Sequence, residues 1–456
     1  MKRKYPRVKK QATPLLNLDQ WLSFIEAGHP EEIDLGLERT LKVALELGVR
    51  DMIHPVVTVA GTNGKGSTIA YMSEILKQAG VRVGCYTSPH FLRYNERITI
   101  NDQPVEDQLL CDSFARIENA RSKADVPLTY FEFGTLVALD IFNRQAIDVV
   151  LLEVGLGGRL DAVNIVDPDV AVVTTVALDH ESWLGNDRET IGREKAGIFR
   201  SGRPAVFGEA DVPQSVVKHA ADIGADLMVW GCQFGPVQTD NTVWSWRGRD
   251  RTGEEICINN LVMPSLPFSN GSTAIQALKM LDLAISDDAF RKGIEKAQLT
   301  GRFQQVVKNN RQVVLDVAHN PHAAENLAKQ ISSQAFIAEY SSSGDADRNT
   351  DCSEKVQVHC VVGMLEDKDV RSTLKQLSSV VDQWYPATLH VPRGQTAVQL
   401  NQALESLGLV KPGGRCFNTV SDAFNHALEN SGSRAVILVV GSFYTVADVL
   451  KGCLEA

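Results

Sequence analysis

The sequence predicts an α/β protein with two domains. From about residue 40 onward, short apolar runs alternate with segments that have the apolar spacing of helices. Several of the apolar runs are hydrophobic on both faces, which is typical of parallel strands in a sheet covered by helices. Because 456 residues are long for one hydrophobic core, we expect a larger first domain at residues 1–298 and a smaller second domain at residues 299–456.

The composition is that of an ordinary folded protein, with 44% hydrophobic and 22% charged residues. A net charge of -10 argues against nucleic-acid or anionic-membrane partners, which need a basic surface. No apolar run approaches the roughly 20 residues that cross a bilayer, and no apolar stretch of signal-peptide type follows the basic start at residues 2–10. The eight cysteines form no Cys-x-x-Cys pair, so we expect reduced thiols and a cytoplasmic protein.

In the first domain, apolar runs predict strands at residues 56–60, 81–86, 148–152, 170–175 and 204–207. Residues 230–262, which contain two tryptophans and scattered glycines, indicate short antiparallel strands. A helix is expected at residues 271–284, and a polar connection near residues 286–300 should lead into the second domain.

The second domain is predicted to repeat the strand and helix alternation. The expected strands are residues 313–317, 358–362, 389–391 and 435–440. The tract at residues 341–350 has no apolar anchor and is expected to be a flexible surface loop, part of an insertion that extends to residue 355.

The first predicted strand runs into a turn with the sequence Gly-Thr-Asn-Gly-Lys-Gly-Ser-Thr at residues 61–68. A helix is expected to follow from Ile69 to Ala79. This arrangement presents backbone N–H groups and the positive end of a helix to an anion, and Lys65 is placed to reach terminal phosphates. The turn therefore predicts binding of a nucleoside triphosphate.

The spacing of this turn differs from that of the usual nucleotide-binding loop. The usual loop has four residues between its first glycine and the Gly-Lys pair, and Ser or Thr follows the lysine directly. Here Thr62 and Asn63 alone separate the two glycines, and Gly66 follows Lys65. These two differences argue against a generic kinase or GTPase.

Polar residues follow the neighbouring predicted strands. Ser88 follows the strand at 81–86, Glu153 ends the strand at 148–152, and His180 follows the strand at 170–175. Ligands of open parallel sheets bind outside the carboxyl ends of the strands, so these side chains are candidates for a shared Mg²⁺ site beside the phosphates. The alternative is a buried, hydrogen-bonded His180 and a Glu153 that caps a neighbouring loop.

Other polar positions are open to two interpretations. Residues 155–158 lack the spacing of a dinucleotide fingerprint and indicate a tight turn. Lys195 falls at a helix end near the same face, where a lysine is usually a solvated charge or an ion-pair partner. Asp316 follows a second-domain strand and suits a ribose hydroxyl or an interdomain contact. Alternatively, Asp316 supports a helix N-terminus and His319 is a core histidine.

Together these motifs resemble the folylpolyglutamate synthase/dihydrofolate synthase family, within the Mur-type ligases. The matching segments, in order, are residues 61–67, 88–90, 153–161, 178–180, 193–198, 301–304, 316–321 and 441–443. The resemblance covers about residues 15–450. It implies an N-terminal P-loop ATPase domain of the Mur-ligase type and a smaller, Rossmann-like C-terminal α/β domain, with the active site between them.

The resemblance also implies roles for individual residues. The residues matching nucleotide-binding positions are Asn63, Gly64, Lys65, Gly66, Asn270, Arg302 and Asp316. Ser88, Glu153 and His180 match magnesium ligands, and Lys195 matches a lysine that family members carry as a carbamate beside a second Mg²⁺. Lys65, His180 and Lys195 are then the expected catalytic residues.

Three segments resemble the bifunctional bacterial branch of the family, which also binds dihydropteroate. They comprise Asp34, Leu35, Gly36 and Leu37; Thr129, Tyr130, Phe131 and Glu132; and Leu160, Asp161 and Ala162. Aromatic and acidic residues suit a flat pterin, which offers a stacking face and a hydrogen-bonding edge. Without the resemblance, the aromatic residues of the second segment would be core residues at a helix start.

The activity implied is ATP-dependent ligation of L-glutamate to dihydropteroate and to tetrahydrofolates through an acyl phosphate. The expected cofactors are ATP and Mg²⁺, with two metal ions, and the expected assembly is a monomer. Three alternatives stay open: a monofunctional folylpolyglutamate synthase, a cell-wall precursor ligase and a non-enzymatic nucleotide sensor. A cell-wall ligase should have a further N-terminal domain. The roughly 50 residues before the first predicted strand, at 56–60, are too few for such a domain.

Overall fold

The computed structural model describes residues 16–29, 31, 33–239, 242–333, 336, 356–432 and 434–454. The chain divides into two units, residues 1–297 and 298–456. The predicted surface loop at 341–350 and the basic start of the chain lie outside the described residues. Across the described part of the chain, no helix has the length and apolar character that a membrane span requires.

Within its described residues, the first unit is built around an eight-stranded sheet. Its strands are β1 (Val56–Ala60), β2 (Val83–Tyr86), β3 (Ile98–Ile100), β4 (Gln103–Pro104), β5 (Val149–Glu153), β6 (Val170–Val173), β7 (Pro204–Phe207) and β8 (Asp226–Val229). Their spatial order is β4-β3-β2-β5-β1-β6-β7-β8. The short β3 and β4 pair antiparallel at one edge, and the other six strands are parallel.

The parallel strands form the core of the first unit. Every residue of β1, β2, β5 and β6 is buried, as expected for strands covered by helices on both faces. In the register of the sheet, Val59 of β1 pairs with Glu153 of β5, and Ala60 pairs with Val173 of β6. The carboxyl ends of these strands therefore lie side by side, which confirms the predicted α/β arrangement of the phosphate strand and its neighbours.

The helices of the first unit's described residues are α1 (Leu18–Glu26), α2 (Glu38–Leu47), α3 (Lys65–Gln78), α4 (Asp107–Ala124), α5 (Tyr130–Arg144), α6 (Glu181–Leu184), α7 (Arg188–Ala196), α8 (Gln214–Ile223), α9 (Phe268–Lys279) and α10 (Asp287–Lys296). Two short 3₁₀ helices cover Tyr94–Arg97 and Ala162–Ile165. The predicted helix start at Ile69 was wrong, because α3 begins at Lys65. Glycine costs only about 1 kcal/mol in a helix, so Gly66 is tolerated in the first turn.

A three-stranded antiparallel sheet confirms the prediction for residues 230–262. It consists of β9 (Gly235–Thr239), β10 (Val243–Arg249) and β11 (Glu255–Val262), with β10 in the centre. The helix expected at 271–284 is α9, and it lies about three residues earlier at its start. The polar connection expected near 286–300 was wrong: α10 occupies much of it. Its buried residues, which include Phe290 and Ile294, form one face of a helix whose other residues are mostly charged.

The second unit contains, among its described residues, a five-stranded sheet in the order β12-β13-β16-β14-β15. The strands are β12 (Gln304–Lys308), β13 (Arg311–Leu315), β14 (Val358–Val362), β15 (Gln383–Pro386) and β16 (Val436–Val440). β12 is antiparallel to β13, and the other pairs are parallel. The described helices are α11 (Pro321–Ile331), α12 (Val370–Leu377), α13 (Ala397–Ser406), α14 (Val420–Asn430) and α15 (Phe443–Leu454).

The strand predicted at residues 389–391 was wrong. The edge strand is β15, which pairs with β14 and ends at Pro386. Leu389 is buried at 6% exposure, but it lies in the following loop, where its N–H donates to the carbonyl oxygen of Gln395 at 3.1 Å. The apolar character of Leu389 predicted part of a strand, although Leu389 is a buried loop residue.

Candidate functional site

The glycine-rich turn after β1 is fastened to the end of β6. Thr62 N–H donates to the carbonyl of Thr175 at 2.9 Å, and Asn63 N–H donates to Thr175 Oγ1 at 2.9 Å. Thr174 Oγ1 donates to the carbonyl of Asn63 at 2.6 Å. Neither threonine was predicted as a site residue, although two hydroxyl residues directly after an apolar strand are a usable signal. The turn therefore takes its shape from the protein itself.

Two positions in the turn require glycine. Gly61 has φ 152° and Gly64 has φ 88°, conformations that side chains rarely adopt. A Cβ at Gly61 would lie 1.8 Å from Thr174 Oγ1, and one at Gly64 would lie 2.8 Å from Asn270 Oδ1. The structure thus brings Asn270 of α9 against the turn, next to the other predicted nucleotide-binding residues of this unit.

Lys65 occupies the first position of α3, followed by Gly66 and Ser67 in the first helical turn. Its Nζ donates to the carbonyl of Gly61 at 3.0 Å, which holds the ammonium group over the turn. The free N–H groups of a helix N-terminus attract anions. Lysine, turn and helix end are therefore arranged as a phosphate site.

A small cleft opens beside Lys65. Its lining residues come from the turn, the start of α3, the loop after β5, the segment that leads into α6, and from α6 and α7: Gly61, Thr62, Lys65, Val154, Gly155, Leu156, Gly157, Asp179, His180, Leu184 and Lys195. The three predicted catalytic residues, Lys65, His180 and Lys195, are thus brought together at one cleft.

Ser88 and Glu153 meet where β2 and β5 end. Ser88 N–H donates to Glu153 Oε2 at 3.0 Å, and Glu153 is buried at 5% exposure. This bond has the loop-capping form considered as the alternative for Glu153. A carboxylate has about four lone-pair sites, so the same side chain retains acceptor capacity for a metal ion.

His180 is exposed, so the alternative of a buried His180 was wrong. It has φ 52° and stands at the start of α6, where its N–H donates to Asp179 Oδ1 at 2.9 Å. A left-handed conformation is uncommon for residues other than glycine and is found at functional positions. This backbone geometry places His180 on the wall of the cleft.

Lys195 is buried at 4% exposure near the end of α7, so the alternative of a solvated lysine was wrong. Burial, with a smaller contribution from the nearby Lys65 charge, lowers the pKa of Lys195 to about 7, while Asp179 and Asp161 oppose this shift. This lowered pKa favours the neutral amine, which is the form of lysine that reacts with CO₂.

Two of the predicted metal ligands, the Ser88 hydroxyl and the Glu153 carboxylate, are of the oxygen type that Mg²⁺ prefers, whereas the imidazole of His180 is unusual for so hard an ion. Over the residues that the structure describes, no group of three or more His, Cys, Asp or Glu side chains is placed to hold a metal ion. The predicted set has a different composition, with one hydroxyl, one carboxylate, one imidazole and one lysine. Mg²⁺ bound to a nucleotide keeps several waters and phosphate oxygens and needs few protein ligands. Val154, directly after Glu153, lines the cleft that holds His180 and Lys195.

The first two segments with dihydropteroate resemblance lie together. Thr129 caps α5, with its N–H donating to Glu132 Oε2 at 2.7 Å and its Oγ1 accepting from Glu132 N–H at 3.2 Å. Arg39 links this cap to Asp34, since its guanidinium contacts Asp34 Oδ2 at 2.7 Å and Glu132 Oε1 at 3.0 Å. Sequence analysis missed Arg39, because nothing in the sequence pairs α2 with α5.

Phe131 connects these segments to the cleft. A Cβ on Gly155 would lie 2.6 Å from Phe131 Cζ, so the ring covers the loop that lines the cleft. Tyr130 and Phe131 are half-buried, whereas Phe133 is buried at 2% exposure. Of the three aromatic residues, Phe133 is therefore the core residue, and the other two keep exposed surface.

Asp161 fixes the third segment. Its Oδ2 accepts from Leu156 N–H at 2.8 Å and its Oδ1 from Val163 N–H at 3.0 Å. Burial raises the pKa of Asp161 to about 6, although these backbone bonds and the Lys65 charge oppose the shift. Leu160 and Ala162 flank Asp161 in the chain, so Asp161 holds the predicted segment to the cleft loop.

In the second unit, Asp316 follows β13 and is buried at 9% exposure. Its two oxygens accept from Phe303 N–H and Ala318 N–H, both at 2.8 Å. Burial raises the pKa of Asp316, and the Arg302 charge opposes this. The N-cap of α11 is Asn320 rather than Asp316. The carboxylate therefore ties the Arg302 loop to the end of β13.

Arg302 and His319 lie on the loops that Asp316 joins. The Arg302 guanidinium is 5.0 Å from the centre of the Phe443 ring, at the start of α15. His319 Nδ1 lies 2.8 Å from the carbonyl oxygen of Val317, within hydrogen-bond distance. This unit thus gathers Arg302, Asp316 and His319 at the carboxyl ends of β13 and β16.

Comparison with known proteins agrees with this architecture. Residues 59–231 match the Mur ligase middle domain, and residues 301–443 match the Mur ligase glutamate ligase domain. An Escherichia coli dihydrofolate synthase/folylpolyglutamate synthase is 46% identical over 98% of this chain and 97% of its own length.

Solved structures show the same fold. The structure of E. coli FolC in complex with DHPP and ADP has 45% identity and a TM-score of 0.85, covering 96% of this chain and 98% of that one. A bifunctional folylpolyglutamate synthase/dihydrofolate synthase with Mn, AMPPNP and L-glutamate bound has 43% identity and a TM-score of 0.84, covering 99% and 100%. The Mur-ligase-type fold is confirmed, and the chain belongs to the dihydrofolate synthase/folylpolyglutamate synthase family of Mur-type ligases.

Proposed function

We propose that this chain catalyses two ATP-dependent ligations, adding L-glutamate to dihydropteroate and to tetrahydrofolates. As a family member it is an ATP-dependent ligase of folate metabolism, and its 46% identity to a relative named for both activities extends over nearly the whole chain. The observation that carries the proposal is the cleft where Lys65, His180 and Lys195 meet, with Phe131 covering its wall.

The acceptor in the proposed reaction is dihydropteroate or a tetrahydrofolate. One of its carboxylate oxygens attacks the γ-phosphorus of ATP, the bond between that phosphorus and the β-phosphate oxygen breaks, and ADP leaves. The α-amine of glutamate then attacks the acyl carbon, loses a proton, and inorganic phosphate leaves as the amide forms. Phosphoryl transfer depends mainly on positioning and charge neutralisation. The turn at 61–64 orients the phosphates, and Lys65 neutralises the charge of the migrating group.

The chain binds a nucleotide and a divalent metal, and we assign the physiological ion as Mg²⁺, with two ions in the site. Relatives of known structure hold ADP, or AMPPNP with Mn. Ser88, Glu153 and His180 would hold one ion, and Lys195 as a carbamate would help to hold the second. Bound Mg²⁺ would neutralise phosphate charge. Asn270 would complete the nucleotide site in the first unit, and nucleotide binding by Arg302 and Asp316 of the second unit stays a prediction.

The proposed carbamate gives a chemical reason for a lysine in this position. A buried ammonium group beside Lys65 and a metal ion would be repelled by both charges. Reaction of the neutral amine with CO₂ replaces that group with an anionic oxygen ligand. The 4% exposure of Lys195 and its lowered pKa of about 7 both favour the neutral amine.

The proposed acceptor site consists of the three segments with dihydropteroate resemblance. Asp34–Leu37 and Thr129–Glu132 are joined through Arg39, and Leu160–Ala162 is joined to the cleft loop through Asp161. Phe131 offers a partly exposed ring for stacking on a pterin.

We further propose that the enzyme works as a cytoplasmic monomer.

An ADP-release assay with each acceptor offered alone tests the two activities. We expect ADP release with dihydropteroate and with tetrahydrofolate, in both cases dependent on L-glutamate, because one cleft serves both carboxylates. Omission of glutamate is the control for simple ATP hydrolysis. Turnover with tetrahydrofolate but not with dihydropteroate would identify a monofunctional folylpolyglutamate synthase. ADP release that needs neither acceptor nor glutamate would reject the ligase proposal.

A further inference from the structure

We infer that Arg39 is a positioning residue for the acceptor site, because it ties two of the proposed dihydropteroate-binding segments into one arrangement. The inference rests on the proposed function. Arg39 is the second residue of α2 and comes directly after the Asp34–Leu37 segment and Glu38. Its partners lie on that segment and, 93 positions along the chain, on the first turn of α5.

The guanidinium contacts both segments at once. Nη1 lies 2.7 Å from Asp34 Oδ2, and Nη2 donates to the backbone carbonyl of Asp34 at 2.7 Å. Nη2 also donates to Glu132 Oε1 at 3.0 Å. The planar fork of arginine makes such paired contacts with fixed geometry, which a lysine ammonium does not reproduce. Arg39 therefore sets the distance between the two segments.

Burial makes the Glu132 contact the stronger constraint. The Glu132 side chain is 4% exposed, the Arg39 side chain 22% and the Asp34 side chain 39%. Thr40 Oγ1 donates to Glu132 Oε1 at 3.0 Å, but a buried carboxylate also needs a balancing charge. Arg39 supplies that charge. The buried Nε of Arg39 has no acceptor among the described residues. The contacts of its two Nη atoms with Asp34 and Glu132 therefore determine the orientation of the guanidinium.

The position of α5 affects the cleft on its acceptor side. Phe131 precedes Glu132 in the chain and packs against Gly155, which lines the cleft. The phosphate turn is held separately, by Thr174 and Thr175. Loss of the Arg39 contacts should therefore disturb acceptor binding and leave ATP binding intact.

The test compares Arg39→Lys and Arg39→Met with the same two substitutions at Arg121. Arg121 is a matched control, because its side chain is 19% exposed, it pairs through Nε and Nη2 with Glu118, and Nη1 donates to the Val126 carbonyl at 2.9 Å. For each full-length variant, KM for dihydropteroate, KM for ATP, kcat and the thermal midpoint are measured. Arg39→Lys keeps a charge for Glu132 and provides the test if Arg39→Met does not fold.

We expect Arg39→Lys to raise KM for dihydropteroate by about tenfold or more, since hydrogen bonds to charged groups have effects of this size. KM for ATP and the Arg121 variants should stay near wild-type values. An equal rise in KM for ATP, or a lower thermal midpoint with unchanged KM for dihydropteroate, would show a merely structural role and overturn the inference. A wild-type enzyme that turns over neither acceptor would instead reject the proposed function, and this inference with it.

Discussion

Replacement of Lys65 by alanine is expected to lower kcat for both ligations by about a hundredfold to a thousandfold, while the protein stays folded. The Lys65 ammonium lies over the glycine-rich turn, 3.0 Å from the Gly61 carbonyl oxygen. In the proposed reaction it would supply positive charge to the migrating phosphoryl group. Removal of one such stabilising group typically costs two to three orders of magnitude. ADP release with saturating ATP, acceptor and glutamate measures the effect.

Lys77→Ala is the matched control for Lys65→Ala. Lys77 lies near the other end of α3, where it pairs with Glu74 and, at 2.7 Å, with Asp102. Surface ion pairs of this kind contribute about 1 kcal/mol or less, so the control should retain wild-type kcat. A folded Lys65→Ala enzyme with nearly normal kcat would contradict the assignment of the turn as the phosphate site.

Replacement of Lys195 by arginine is expected to reduce ligation by about a hundredfold or more. A guanidinium stays charged at every accessible pH, so Arg at this position cannot react with CO₂ to form the proposed carbamate. If the reaction needed only the positive charge of Lys195, arginine would supply that charge and the variant would stay active. Lys195→Met, which is uncharged and similar in length, should lose the same activity. ADP release and circular dichroism are measured for both variants.

Lys218→Arg is the control, because Lys218 is an exposed lysine on the neighbouring helix α8. It should keep wild-type activity. Arginine at position 195 with ligation within a few-fold of wild type would contradict the carbamate proposal and assign Lys195 a simple charge role. Loss of activity in Lys195→Met alone would point to the same conclusion.

Much of the first unit could be predicted because its signals are local. The apolar strands β1, β5 and β6 are buried on both faces. The polar residues at their ends show in the sequence where each strand stops. Parallel strands place such ends at one edge of a sheet, which is why Lys65 and His180, each of which follows a strand, could be expected near one another. The role of Lys195, which lies on α7, came from the family resemblance, and all three side chains line one cleft.

The features that sequence analysis missed depend on long-range contacts. Arg39 joins α2 to α5, and Thr174 fastens the turn after β1 to the end of β6. The missed helix α10 buries its apolar face while most of its residues are charged, so composition alone indicated a polar connection. His180 is exposed and has a left-handed backbone conformation, and no local pattern in the sequence indicates that conformation.

Transfer of ¹⁸O from the acceptor carboxylate to phosphate tests the central claim most directly. Dihydropteroate labelled with ¹⁸O in its carboxylate is incubated with the enzyme, ATP and L-glutamate, and the released phosphate is analysed by mass spectrometry. If the carboxylate attacks the γ-phosphorus, one labelled oxygen must leave with phosphate for each amide bond formed. Amide formation with no ¹⁸O in the phosphate would contradict the acyl-phosphate mechanism, and with it the role assigned to the cleft.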